Sequence, residues 1–295
     1  MAVSKTQIDR LGDRLKIGSH TESDLRLLDD YRRSFGEAYE LVVRAIRQRG
    51  EHPTGRLAKS TVSIVEKLRR EKIRLSQMQD IAGCRVVVTN VLEQDRFVST
   101  LKADFPEATV IDRRDNPSYG YRAVHIIVEI SGKPIEIQVR SSLQHLWAEV
   151  SEKSSDVLDP TIKYGGGTDS WRNFLTSSSE SVASYEEFEK KLPLLVAKNE
   201  AADTAHEKAK KAFAELPERR LEPVYQLLRL FLGWTLPDHW LQEMREKLEC
   251  TTRMSVQCEQ MYQEVRVDMA RQWNAITDLL TGAISRLDEL KRQKQ

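Results

Sequence analysis

The stretch AVHIIVEI-SGK-PIEIQVR, from Ala123 to Arg140, decides how the chain is read. Two apolar, β-branched runs are joined by Ser131-Gly132-Lys133, the pattern of a β-hairpin. Side chains alternate across a strand, so Ile135, Ile137 and Val139 share one face, and Glu136, Gln138 and Arg140 the other. The first set belongs to a core. The second puts a carboxylate, an amide and a guanidinium in a row, which is costly on a central strand unless the row faces a cleft, a ligand or an ion. The solvated outer face of an edge hairpin would give the same pattern.

Working outward from the hairpin, Ser141 to about Val157 reads as a helix that begins where the second strand ends. The turn-rich stretch DNPSYG (115–120) precedes the hairpin, and residues 107 to 112 are a short strand candidate. Leu92 to Asp104 is helical, with Pro106 ending it. Ala82 to Thr89, AGCRVVVT, is too short and too β-branched to be anything but a buried strand. A helix is expected from Ser60 to about Glu71. Apolar residues from Leu25 to Ile46 recur near 3.6-residue spacing, predicting one long helix from about Thr21 to Gly50. The order is not a repeating βαβ, so the expected class is α+β. After Gly165-Gly166-Gly167 no strand signal remains, only charged helical sequence punctuated by Pro217, Pro223 and Pro237. We therefore divide the chain into a mixed-sheet domain, 1–168, and an all-helical extension, 169–295, in which Trp234, Trp240 and Trp273 are read as core residues.

Three further features can carry chemistry. Asp80 lies just before the strand at Ala82, and Gly83 leaves room at the strand end. Two carboxylates on neighbouring strands can hold Mg²⁺, though Asp80 taken alone is more simply read as capping or initiating the strand. Between Arg56 and Arg74, seven Lys or Arg face two Glu, a local balance of +5. Ser63 and Lys67 share a helix face there, with Lys59 one turn back. Such a helix can receive phosphates at its N-terminus, and a solvated face has the same composition. Finally Tyr119-Gly120-Tyr121-Arg122, followed by His125, offers a flat ring for a base with a cation nearby, or a tyrosine wedged under a loop. Residue chemistry by itself stops at Mg²⁺-dependent phosphate chemistry.

Composition sets the remaining bounds. The 295 residues are 40% hydrophobic and 31% charged, with a net charge of +1, which argues against a protein dedicated to coating nucleic acid. No apolar run approaches the roughly 20 residues that span a bilayer, and MAVSKTQIDR has no signal-peptide core, so a cytoplasmic protein without membrane association is expected. The three cysteines form no CxxC pair, and Cys84 falls in the apolar strand.

The four features occur together, in this order, in the RelA/SpoT synthetase domain, which the chain resembles over roughly residues 30 to 165. The family pattern has a basic RxKxxxSIxxK segment, matched by Lys59, Ser63, Ile64 and Lys67. DIAGCR (80–85), GYRAVH (120–125), EIQVR (136–140) and LQHLWAE (143–149) are similar to its later motifs. The resemblance implies a nucleotidyltransferase-like mixed sheet flanked by helices, and Mg²⁺-dependent transfer of pyrophosphate from ATP to the 3′-hydroxyl of GDP or GTP. It assigns ATP to Arg56, Lys59, Ser63, Lys67 and Arg85, with the two lysines on its phosphates and Arg56 against the adenine. Asp80 and Glu136 would hold Mg²⁺, and Glu136 would activate the hydroxyl. Tyr121 would stack on the acceptor base, with Arg122, His125, Gln138 and Arg140 around the acceptor.

Two departures bear on these assignments. Arg56 precedes Lys59 by three residues where the family usually has two, and Tyr119 stands where the family has Asn. No His-Asp dipeptide occurs, so the hydrolase half of long family members is not expected, and the length resembles that of the stand-alone synthetases. The alternative acceptors are the 3′ end of tRNA, for which Arg113, Arg114, Arg122 and the Arg69-Arg70 pair would supply a basic surface, or an adenine nucleotide. A synthetase domain turned binding module is a third reading. Charged helices such as YEEFEKKL are expected to pack back on the first domain or to support a homo-oligomer.

Overall fold

The structure, a computed structural model, describes residues 4–214 and 238–294. Three helices open the chain: α1 (Lys5–Ile17), α2 (Glu22–Arg33) and α3 (Gly36–Gln48). Ser4 with Gln7, and Thr21 with Asp24, form reciprocal capping boxes at the first two. The single helix expected over 21–50 is in fact two. The Ser34 hydroxyl donates to the Tyr31 carbonyl at 2.6 Å, and the Phe35 amide turns to Arg32 instead. A side chain thus takes the carbonyl that would have continued the helix. Helix α1 was not anticipated from the sequence.

Then follow β1 (Thr54–Arg56), α4 (Thr61–Arg70), β2 (Ala82–Val88), α5 (Val91–Asp104), β3 (Thr109–Asp112), β4 (Val124–Ile130), β5 (Lys133–Ser141) and α6 (Ser142–Val157). Two long helices end the chain, α7 (Asp169–Ala214) and α8 (Asp238–Gln293). The described C-terminal residues are helical, and Pro193 lies inside α7. Pro217, Pro223, Pro237 and Trp234 fall outside the described residues, as does the side chain of Trp240; Trp273 is half-buried.

The five strands form one mixed sheet in the order β1-β2-β5-β4-β3, with β2 and β5 parallel and the other pairs antiparallel. The hairpin turn is two residues, Ser131 and Gly132, at φ 52° and 73°. Both values are positive, as a turn matching the strand twist requires. Ile135, Ile137 and Val139 are fully buried, packed with Val86, Ile126 and apolar residues of α1 to α5. β1 escaped the sequence reading because three residues, Thr-Gly-Arg, cannot show an alternation. Gly55 is required there, since a Cβ would lie 2.6 Å from the Cys84 Cα.

The chain divides into two compact units. One comprises residues 1–186 and 276–295 and holds the whole sheet. The other, 187–275, is built in its described part from α7 and α8. No helix among the described residues is long and apolar enough to cross a membrane.

Candidate active site

The polar face of the sheet forms the floor of an open cleft of about 740 Å³. β2 contributes Gly83 and Arg85, β4 His125, and β5 Glu136, Gln138 and Arg140. The register explains the grouping: Gly83 lies opposite Glu136, and both Arg85 and His125 lie opposite Gln138. α4 supplies one wall with Ser63 and Lys67, and Lys59 joins them from the segment before it. α6 supplies another with Trp147, Ser151 and Glu152.

Asp80 is held between two ammonium groups, Lys59 Nζ at 2.7 Å and Lys67 Nζ at 2.9 Å. Burial pushes its carboxyl up, but the two lysines outweigh burial and hold it below the ordinary carboxylate range. Glu136 is the mirror case. Burial pushes it up, yet a 2.9 Å contact with His125 Nδ1 and a 2.8 Å hydrogen bond from Gln138 hold it below that range. Asp80 is near enough for its charge to act on Glu136. The floor therefore carries two ionised carboxylates on neighbouring segments, each countered by its own cation or donor. Those two could serve a divalent cation. Among the described residues no group of three or more His, Cys, Asp or Glu could hold one, so further ligands would have to be phosphates or water.

Beyond Gln138 the cleft becomes cationic. Arg140 is 2% exposed; its Nη2 donates to Gln138 and to the Tyr121 hydroxyl, each at 3.0 Å, and Tyr121 also meets His125 Nε2 at 2.9 Å. Burial raises the Tyr121 phenol, keeping it protonated. Arg85 reaches Glu152 at 3.3 Å. Burial, and then the neighbouring Arg140, weaken the hold of Arg85 on its proton. Arg140 Nε and Nη1, Arg85 Nε and His145 Nδ1 are buried without a hydrogen-bond partner among the described residues. Unpaired buried guanidinium donors are costly, and an anion is the partner that relieves them.

Most of the expected site residues thus line one cleft. Two do not join it. Arg122 turns away to within 3.8 Å of Glu186, and the side chain of Arg56 lies outside what the structure describes. The basic surface expected from the arginines is largely engaged elsewhere. Arg114 is bound by Asp112 and Asp95, Arg69 by the Lys16 carbonyl, and Arg113 and Arg70 face the cleft. Sequence reading missed the stack of the Arg70 guanidinium on Tyr164, 3.9 Å from the ring centroid, at the cleft wall. Nothing in the spacing of residues 70 and 164 announces it.

Residues 55–155 match the family described as the region found in RelA / SpoT proteins. An uncharacterized protein of Mycobacterium tuberculosis is 38% identical over 111 residues, covering 36% of this chain and 41% of that protein. A probable GTP diphosphokinase, the chloroplastic RSH3 of Arabidopsis thaliana, is 29% identical over 144 residues, covering 44% of this chain and 20% of its own. The matches thus span less than half the length of either relative. The small alarmone synthetase 1 of Bacillus subtilis is similar in structure, with a TM-score of 0.42 and 26% identity over 60% of this chain and 99% of that one. Residues 55–155, which contain the whole floor of the cleft, thus match the region found in RelA / SpoT proteins.

Proposed function

We propose that the cleft transfers pyrophosphate from ATP to the 3′-hydroxyl of GDP or GTP. The observation that carries this reading is the pairing of Asp80, clamped by Lys59 and Lys67, with the ionised Glu136 across Gly83. A triphosphate offers the two lysines a second anion, so donor phosphates belong on the α4 side of the cleft. Asp80 and Glu136 would hold Mg²⁺, which supplies charge neutralisation on the phosphate oxygens. Glu136, oriented by His125, accepts the proton of the 3′-hydroxyl. That oxygen then bonds to the β-phosphorus of ATP, and the bond from the β-phosphorus to the α,β-bridging oxygen breaks, releasing AMP. The unpaired donors of Arg140 and Arg85 suit the phosphates of the acceptor, and the Tyr121 ring suits its base. The likeness to the Arabidopsis relative, a probable GTP diphosphokinase, supports guanine as that base.

The test is an incubation of the protein with ATP labelled at the β- or γ-phosphate, Mg²⁺, and GDP, GTP or deacylated tRNA. Label on a guanine nucleotide is the expected result. Label on tRNA alone would replace the acceptor and keep the chemistry; label on neither would defeat the reading.

A further inference from the structure

Behind the cleft floor lies a buried carboxylate with no part in the chemistry. Glu186 of α7 is 3% exposed. Its Oε1 accepts from Ser141 Oγ at 2.9 Å and from Gln144 Nε2 at 2.7 Å, while Oε2 lies 3.8 Å from Arg122 Nε. Ser141 directly follows Arg140 and caps α6, and Arg122 directly follows Tyr121. Gln144 is bonded in turn to Gln94, whose Nε2 donates to the Val139 carbonyl at 2.7 Å. One carboxylate therefore grips the backbone neighbours of both Tyr121 and Arg140, whose side chains meet at 3.0 Å in the cleft. Burial pushes the Glu186 carboxyl up, against the hydrogen bonds of Ser141 and Gln144 and the charges of Arg122 and Arg114. A carboxylate in so dry a place is costly, and its partners all belong to segments that carry the cleft.

We infer that Glu186 is a positioning residue: through Ser141 and Arg122, helix α7 sets the placement of Arg140 against Tyr121 and so the fit of the acceptor nucleotide. The inference rests on the reading of the cleft as a two-nucleotide site. Calorimetric titration of GDP and of α,β-methylene-ATP into the full chain tests it without turnover. Glu186→Ala should weaken GDP by about tenfold or more and leave the ATP analogue within about twofold. Glu186→Gln keeps an accepting oxygen for Ser141 and Gln144 but turns an amide nitrogen toward Arg122, and should weaken GDP less than the alanine variant while leaving the ATP analogue within about twofold. Ser141→Ala, a milder change should the first variant fold poorly, should weaken GDP alone, and combining it with Glu186→Ala should add little. A wild type that binds neither nucleotide overturns the functional reading, and this inference with it. A wild type that binds both overturns the inference alone if Glu186→Ala weakens both ligands equally or neither, or if Glu186→Gln is as poor as the alanine variant.

Discussion

Gly83 of β2 stands opposite Glu136 of β5, and a methyl group on it would lie 2.6 Å from the Glu136 carbonyl oxygen. Only hydrogen fits unless the two parallel strands separate. Gly83→Ala should therefore destabilise the protein by about 1–3 kcal/mol. It should also lower pyrophosphate transfer further than the lost stability explains, because Glu136 moves relative to Asp80. Urea unfolding run beside the label-transfer assay measures both, and an alanine variant with wild-type stability and rate would show the strand spacing to be immaterial.

Glu136→Gln keeps the shape and the hydrogen-bonding capacity toward Gln138 while removing the charge and the proton acceptor. We expect a loss of roughly 10²- to 10⁴-fold in turnover at saturating nucleotide, with the fold retained. Circular dichroism controls for folding. Transfer at the wild-type rate would exclude Glu136 as the base.

The Asp80 clamp makes a prediction about acid. A carboxyl held below its ordinary value adds stability that is fully present above about pH 4, the unfolded value, and is lost as pH falls through the lower folded value. Lys67→Met leaves Lys59 alone against burial, which pushes the carboxyl up. Acid unfolding of this variant should begin at a higher pH, and the acid limb of its rate profile should shift the same way. Profiles that superimpose on the wild type would show that the Lys67 contact does not govern Asp80.

Tyr121 offers both a ring and a hydroxyl, and the hydroxyl is engaged by His125 and Arg140. If the ring stacks on the acceptor base, Tyr121→Phe should retain most GDP affinity, whereas Tyr121→Ala should lose about 1–3 kcal/mol. Equal losses in the two variants would assign the residue's worth to the hydroxyl network instead. Equilibrium binding of GDP decides between them.

The sheet's centre was legible because its signals are local. The hairpin turn, the alternation of Ile135 to Val139 against Glu136 to Arg140, and the glycine beside Asp80 each lie within a few residues. What escaped depends on partners far apart in sequence. Ser34 breaks a helix by bonding Tyr31, which periodicity cannot register. Arg114 and Arg122 read as free cations, yet each answers to carboxylates, and Glu186 lies more than sixty residues from Arg122. The Arg70–Tyr164 stack is of the same kind: both residues are ordinary in their own segments and acquire meaning only where the fold brings them together.

Among the described residues, β5 is the last strand in sequence, and it occupies the middle of the sheet. As the chain leaves the ribosome, β2 must wait with one edge bare, and His125 emerges before the glutamate it will meet. Neither half of the cleft has its floor until β5 slides between β2 and β4. Under the proposed function, a polypeptide interrupted before about residue 140 would be inert rather than feebly active, so the cell would meet pyrophosphate transfer only from chains whose synthesis has passed that point.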